Sequence, residues 1–210
     1  MRYFQLALLF IWFSILCIPS ITFAASSNYS SNEYAQAQLQ SLKALIENNR
    51  EKSDWHKINL VNQFFNRVAY VSDQQQWGVE DYWASPVEFL QRNAGDCEDY
   101  SIAKYFTLRA MGVDTDRLRM TYVNTLPDQK PHMVLVYFEG VQRVPLVLDN
   151  LEQSIEPLTI RTDLDPVYSF NHKGLWLAHR NPRNDEFVGS TKQVGYWDTL
   201  AKKVSEEQLL

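Results

Sequence analysis

A thiol beside an imidazole that a carboxylate steadies can break an amide bond. The chain of 210 residues offers such a set in Cys97, His132 and Asp149. A thiol attacks only as thiolate, and its free pKa is about 8.5. The unpaired N–H groups of a helix start favour negative charge and lower that value. A nearby imidazole lowers it further and can later protonate the leaving amine. A third polar group fixes the imidazole tautomer. Cys97 follows Gly95-Asp96 and precedes an apolar face of Ile102, Ala103, Phe106 and Ala110, so it falls at or near the N-terminus of a buried helix. Gly95 lets the chain turn sharply into that helix, and Met111-Gly112 reads as its end.

The other two groups sit at strand ends. His132 opens a strand straight after Pro131, and Asp149 closes the next one. Strands joined by a short hairpin can bring the two side by side at a sheet rim. His56 falls in a helical stripe and reads as structural, while His172 and His179 lie in an aromatic stretch with no acidic partner in register. A lone cysteine is often no more than a small buried hydrophobe. The charged neighbours Asp96, Glu98 and Asp99 are a poor setting for an inert core residue.

Those same acids raise a difficulty. Carboxylates at a helix start are ordinary and favourable. Beside a thiol they should also raise its pKa and oppose thiolate formation. A hard cation held by the oxygens of Asp96, Glu98 and Asp99 would cancel the repulsion, and calcium, with oxygen ligands and flexible geometry, suits an exported protein best. Nothing ties Asp114 or Asp116 to this cluster. A second oxyanion donor beside the Cys97 N–H is sought in Trp77 or in Gln74, Gln75 or Gln76, whereas Tyr82 and Trp83 read as groove walls or core.

The elements that must hold these groups follow from periodicity. Glu33 to Asn49 predicts a helix with Leu39, Leu42, Leu45 and Ile46 on one stripe. Ser53 caps a second, in which Trp55, Ile58, Val61, Phe64, Phe65 and Val68 recur at helical spacing. Ser85-Pro86 starts a short helix through Leu90. Strands are expected at Leu118 to Val123, His132 to Phe138 and Val144 to Asp149, as an antiparallel meander, with one more around Leu175 to Ala178. The tail from Trp197 reads as a terminal helix. Helices first, then one helix followed by strands, is an α+β arrangement with the Cys97 helix packed on an antiparallel sheet.

Composition bounds the function. With 45% apolar and 13% aromatic residues the chain can build a true core, and a formal charge of −5 without a basic stripe argues against nucleic-acid binding. Two cysteines exclude a disulfide scaffold. Arg2, the apolar run Leu6 to Ile18, the break at Pro19-Ser20 and the small residues Ala24-Ala25 have the anatomy of a secretory signal peptide over residues 1–25, rather than of an uncleaved anchor. Cleavage there leaves Cys97 as the sole cysteine. The expected organisation is a leader and helix over 26–52, a catalytic domain over 53–180 and a tail over 181–210.

Trp77 to Leu90, then Gly95-Asp96-Cys97-Glu98-Asp99-Tyr100, then His132-Met133-Val134-Leu135 and Leu148-Asp149-Asn150 together resemble the bacterial transglutaminase-like cysteine proteinases. The likeness runs over roughly residues 55–180. It implies a papain-like, transglutaminase-type core and a triad of Cys97, His132 and Asp149. It implies calcium dependence through Asp96 and Glu98, with Asp99 beside them. It further implies a periplasmic endopeptidase that cuts near the N-terminus of a large surface adhesin at a paired-alanine site, so releasing the adhesin and promoting biofilm dispersal. The implied partner is the periplasmic domain of an inner-membrane cyclic-di-GMP receptor that sequesters the protease. Two rival functions remain at this stage: acyl transfer to an amine by the same triad, and a calcium-stabilised binding module without catalysis.

Overall fold

The computed structural model describes residues 31–140 and 144–207. The expected signal peptide over 1–25 lies outside these residues. Helix α1 (Ser31–Asn49) and helix α2 (Asp54–Phe65) come first. Leu42 and Ile46 of α1 and Ile58, Val61 and Phe65 of α2 are buried, so the predicted stripes face the core. Ser53 caps α2 by accepting the His56 N–H at 3.3 Å. Trp55 departs from the expected stripe: it is 57% exposed in the first turn of α2, where the helix has not yet reached the core. A two-residue strand β1 (Ala69–Tyr70), a short helix α3 (Asp73–Gln76) and helix α4 (Pro86–Arg92) follow. Ser85 and Glu88 form a reciprocal capping box at the start of α4, satisfying two N–H groups that the helix leaves unpaired.

Strand β2 (Ala94–Gly95) pairs parallel with β1, and the chain passes directly into helix α5 (Cys97–Ala110). This helix is the centre of the molecule, packed against α2, α4 and the sheet. Its residues from Asp99 to Leu108 are all buried. Each large apolar side chain buried in this way contributes about 1.5–3 kcal/mol. Gly112, at φ +82°, ends the helix in the left-handed conformation that glycine tolerates best.

The remaining strands form one antiparallel sheet: β3 (Leu118–Thr125), β4 (Lys130–Tyr137), β5 (Leu146–Leu148), β6 (Glu156–Pro157), β7 (Leu164–Asn171), β8 (Gly174–Leu177) and β9 (Glu186–Gly189). Their spatial order is β6-β5-β4-β3-β7-β8-β9. The meander β3-β4-β5 is the one expected, and the α+β class holds. β7 was not expected: Asp165 and Pro166 blur its alternation, yet it pairs along β3 on the side away from β4. One face of the sheet packs Met120, Met133, Leu135, Tyr137 and Leu148 into the helical core, and Val123, Val134, Val136 and Val147 build a smaller cluster with Leu158 and Leu164. Helix α6 (Trp197–Glu207) closes the fold, with Trp197 stacked on Phe106.

Candidate active site

Cys97 is the first residue of α5. Asp96, before it, is the N-cap, and it shares a capping box with Asp99. Gly95 makes this junction possible for a reason other than the sharp turn expected. A Cβ built there would lie 2.3 Å from Asp99 Oδ2 and 2.8 Å from the Phe89 ring, so only hydrogen fits between the helix cap and α4. The hydroxyl of Ser101, one turn along α5, donates to the Met133 carbonyl at 3.0 Å and locks the helix start to β4.

β4 begins two residues earlier than expected, at Lys130, which leaves His132 inside the strand and 4% exposed. The β4–β5 register sets Leu135 opposite Leu148, so Asp149 emerges just past the strand end, close to His132. His132 Nε2 and Asp149 Oδ1 are 2.8 Å apart. Asp149 Oδ1 also accepts the Leu151 N–H at 3.0 Å, and Oδ2 accepts from Arg161 at 2.7 Å. These bonds hold the Asp149 carboxyl far below the usual carboxylate range, although burial pulls the other way. With Nε2 committed to Asp149, Nδ1 of the imidazole is the nitrogen left for chemistry.

Cys97 and His132 line one cleft of about 730 Å³, walled by Trp83, Tyr122, Tyr168, Trp176 and Tyr196. Tyr122 and Tyr168 stack nearly parallel at 5.0 Å, and Trp83 leans on Tyr196 at 5.5 Å. The half-buried thiol donates to Glu98 Oε2 at 3.1 Å. Burial first, then the Glu98 charge, push the thiol pKa up, while the Met133 N–H pulls it down. A cation beside Glu98 would pull the thiol pKa back down by opposing negative charge there.

The acids are arranged for that. Asp73, Asp96 and Glu98 each offer an oxygen within 4.8 Å of the others. Calcium holds oxygens at about 2.3–2.6 Å, so ligands on opposite sides sit up to about 5 Å apart. Asp73 Oδ1 and Asp96 Oδ1 are buried without a hydrogen-bond partner among the described residues. Burial raises all three carboxyls, Asp73 to about 6 and Glu98 to about 9, with mutual repulsion adding to it. Two orphaned carboxylate oxygens in a crowded acidic pocket fit a hard divalent cation. Asp81 faces the same group and is hydrogen-bonded to Glu98.

Asp99 stands differently from the expectation. Its Oδ1 accepts the Ala84 N–H at 2.9 Å and its Oδ2 the Asp96 N–H at 3.3 Å, so both oxygens are spent on the backbone. It is the N3 partner of the Asp96 capping box and lies outside the triangle, whose third corner is Asp73. Sequence reasoning missed Asp73 because the two-residue parallel pair β1–β2 that carries it to Asp96 has no periodic signature. The expected second oxyanion donors are absent from the cleft wall: Gln76 Nε2 donates to the Ala94 carbonyl at 2.9 Å, and Trp77 packs at a tilt against Tyr82, 4.3 Å between ring centroids.

Comparison with known proteins bears on the fold and the family. No curated protein sequence matches the chain. Among solved structures, LapG of Legionella pneumophila is similar at 41% identity and a TM-score of 0.71, over 81% of this chain and 89% of that one. The EGTA-treated form of that protein gives 42% identity and a TM-score of 0.72 over the same shares. Its calcium-bound form gives 40% and 0.71, over 83% of this chain and 92% of that one. The transglutaminase-like fold is thus shared. The profile of the bacterial transglutaminase-like cysteine proteinases matches residues 24–177, and the chain belongs to that family.

Proposed function

We propose that this protein is a calcium-dependent cysteine endopeptidase working through Cys97, His132 and Asp149. The observation that carries the reading is the buried His132–Asp149 bond of 2.8 Å, at the rim of the cleft that also exposes the Cys97 sulfur at a helix start. In the first step the Cys97 sulfur adds to the peptide carbonyl carbon, with its proton passing to His132 Nδ1. The Cys97 N–H, one of the donors a helix start leaves unpaired, faces the oxyanion that forms. As the tetrahedral intermediate collapses, the C–N bond breaks and His132 returns the proton to the departing amine. Water then attacks the thioester, giving up a proton to His132, and the acid product leaves with the thiol restored. Asp149 keeps the imidazole in one tautomer throughout.

Asp73, Asp96 and Glu98 would hold the calcium ion, with Asp81 beside them. When bound there, it supplies positive charge that offsets the carboxylates now repelling a Cys97 thiolate. The family likeness, together with an open cleft at the Cys97 sulfur, supports a polypeptide substrate. We infer further that the substrate is the N-terminal region of a large cell-surface adhesin, cut to release it and promote biofilm dispersal. The site of action would be the periplasm, reached by a signal peptide over 1–25, under sequestration by the periplasmic domain of a cyclic-di-GMP receptor. Among the described residues no helix is long and apolar enough to cross a membrane. Incubation of purified protein with an adhesin N-terminal fragment, with and without calcium, tests the reading by mass analysis of the products. Two fragments that form only with calcium are expected, and an intact fragment would refute it.

A further inference from the structure

We propose that Arg161 is a positioning residue for the His132–Asp149 pair, an inference that rests on the triad described above. Arg161 lies in the turn between β6 and β7 and is 6% exposed. Its Nη2 donates to Asp149 Oδ2 at 2.7 Å. The same side chain is tethered on its outer side by Asp163, through Nε at 3.0 Å and Nη2 at 2.7 Å. Its own carbonyl accepts the Leu164 N–H at 3.2 Å, and Arg180 reaches the same oxygen at 3.4 Å. The guanidinium is thus held from two sides, by the half-exposed Asp163 at the surface and by Asp149 within, while its Nη1 is buried without a partner among the described residues.

That N–H decides how the Asp149 carboxylate is turned. The two oxygens have divided roles: Oδ1 serves His132 and the Leu151 N–H, and Oδ2 serves Arg161. Without a donor on Oδ2 only the bonds to Oδ1 resist rotation of the carboxylate, and the imidazole is held less firmly in its single orientation. The charged groups facing Asp149 are His132 from β4, Arg161 from the β6–β7 turn and Lys104 from α5. Lys104 acts by charge alone, because its Nζ makes no hydrogen bond among the described residues. Arg161 is therefore the group that can fix direction as well as charge.

The test uses the full mature chain loaded with calcium, and compares Arg161→Gln, Arg161→Lys and Asp163→Asn. Arg161→Gln should lower kcat about 10- to 100-fold with KM within about twofold, the scale expected when reacting groups lose alignment. The downfield proton resonance of the His132 Nε2–H should broaden or vanish in that variant. Arg161→Lys should recover part of kcat together with the resonance. Should Arg161→Gln fail to fold, Asp163→Asn, which loosens the anchor without touching Asp149, should still reduce kcat and shift the same resonance. A folded Arg161→Gln or Asp163→Asn with native kcat and an unshifted resonance would overturn the proposal. Cleavage that survives in Cys97→Ala would instead remove the triad itself, whatever Arg161 does.

Discussion

The Asp73 N–H donates to Asp96 Oδ2 at 3.2 Å across 23 residues of sequence. This bond joins the residue before the nucleophile to a carboxylate that no local motif announces. It also leaves Oδ1 of each aspartate turned into the same acidic space. Asp73→Asn should therefore weaken calcium binding as strongly as Asp96→Ala or Glu98→Ala, by about tenfold or more, on the scale expected when a charged ligand is lost from a calcium site. Asp99→Asn should leave calcium affinity less affected and lower thermal stability instead, because it weakens the capping box at the start of α5. Calorimetric titration and melting of the four variants separate the two roles. An Asp73→Asn protein with native affinity would exclude Asp73 from the site.

Proton release makes a second expectation. Asp73, Asp99 and Glu98 ionise in the folded chain near 6, 8 and 9, against ordinary values of 3.8 for aspartate and 4.5 for glutamate, chiefly because they are buried. A carboxyl raised on folding binds more protons in the native state than in the unfolded one. Its stabilisation is full below the ordinary value and is lost as pH rises through the raised one. The chelated protein should accordingly melt at progressively lower temperature from about pH 5 to about pH 9. Calcium should flatten that decline, and its affinity should increase with pH over the same window, since binding displaces protons. Melting curves in chelator and in calcium check both signs. A chelated protein whose melting temperature climbs over that range would contradict the assignment.

Gly95 offers a stability test tied to the site. Its missing Cβ would meet Asp99 Oδ2 and the Phe89 ring well inside contact distance. Gly95→Ala must push the cap away from α4, at a cost of about 1–3 kcal/mol or more. Loss of melting temperature together with loss of Cys97 reactivity is expected. A variant that melts and reacts as the parent does would show that the junction has slack.

How much of this could be read from sequence depends on how local each signal is. The Gly-Asp-Cys-Glu-Asp block, the stripes of α1 and α2 and the β4–β5 hairpin are local patterns. They placed Cys97 at a helix start and predicted that His132 and Asp149 would meet. β7 escaped because Asp165 and Pro166 interrupt its alternation, and its stability comes from pairing with β3 rather than from its own residues. Asp73 escaped because two residues of β1 opposite two of β2 carry it into place, too few for any period to show. Asp99 was grouped with the calcium ligands by its place in the acidic block and by the family resemblance. Only the backbone geometry shows its oxygens committed to Ala84 and Asp96. Arg161 sits in an irregular turn, and its bond to Asp149 closes a loop that sequence patterning does not encode.

Asp149→Asn tests the orienting bond with little change of shape. The amide accepts and donates differently, so the imidazole is offered the wrong tautomer, and kcat should fall by at least about 100-fold while the protein stays folded. Removing the side chain altogether would confuse the result, because the buried Arg161 would lose its inner partner and keep Asp163 alone. Activity within a fewfold of the parent in a folded Asp149→Asn would mean that His132 needs no partner.

The central claim is that the Cys97 sulfur forms a covalent bond with the substrate acyl group. Rapid quenching of the calcium-loaded protein with an adhesin fragment, followed by intact-mass analysis, tests it most directly. The account predicts a transient adduct on Cys97 whose mass equals the N-terminal product less one water, absent in Cys97→Ala, which also leaves the fragment whole. Cleavage by Cys97→Ala at the parent rate, with no adduct on either protein, would contradict it.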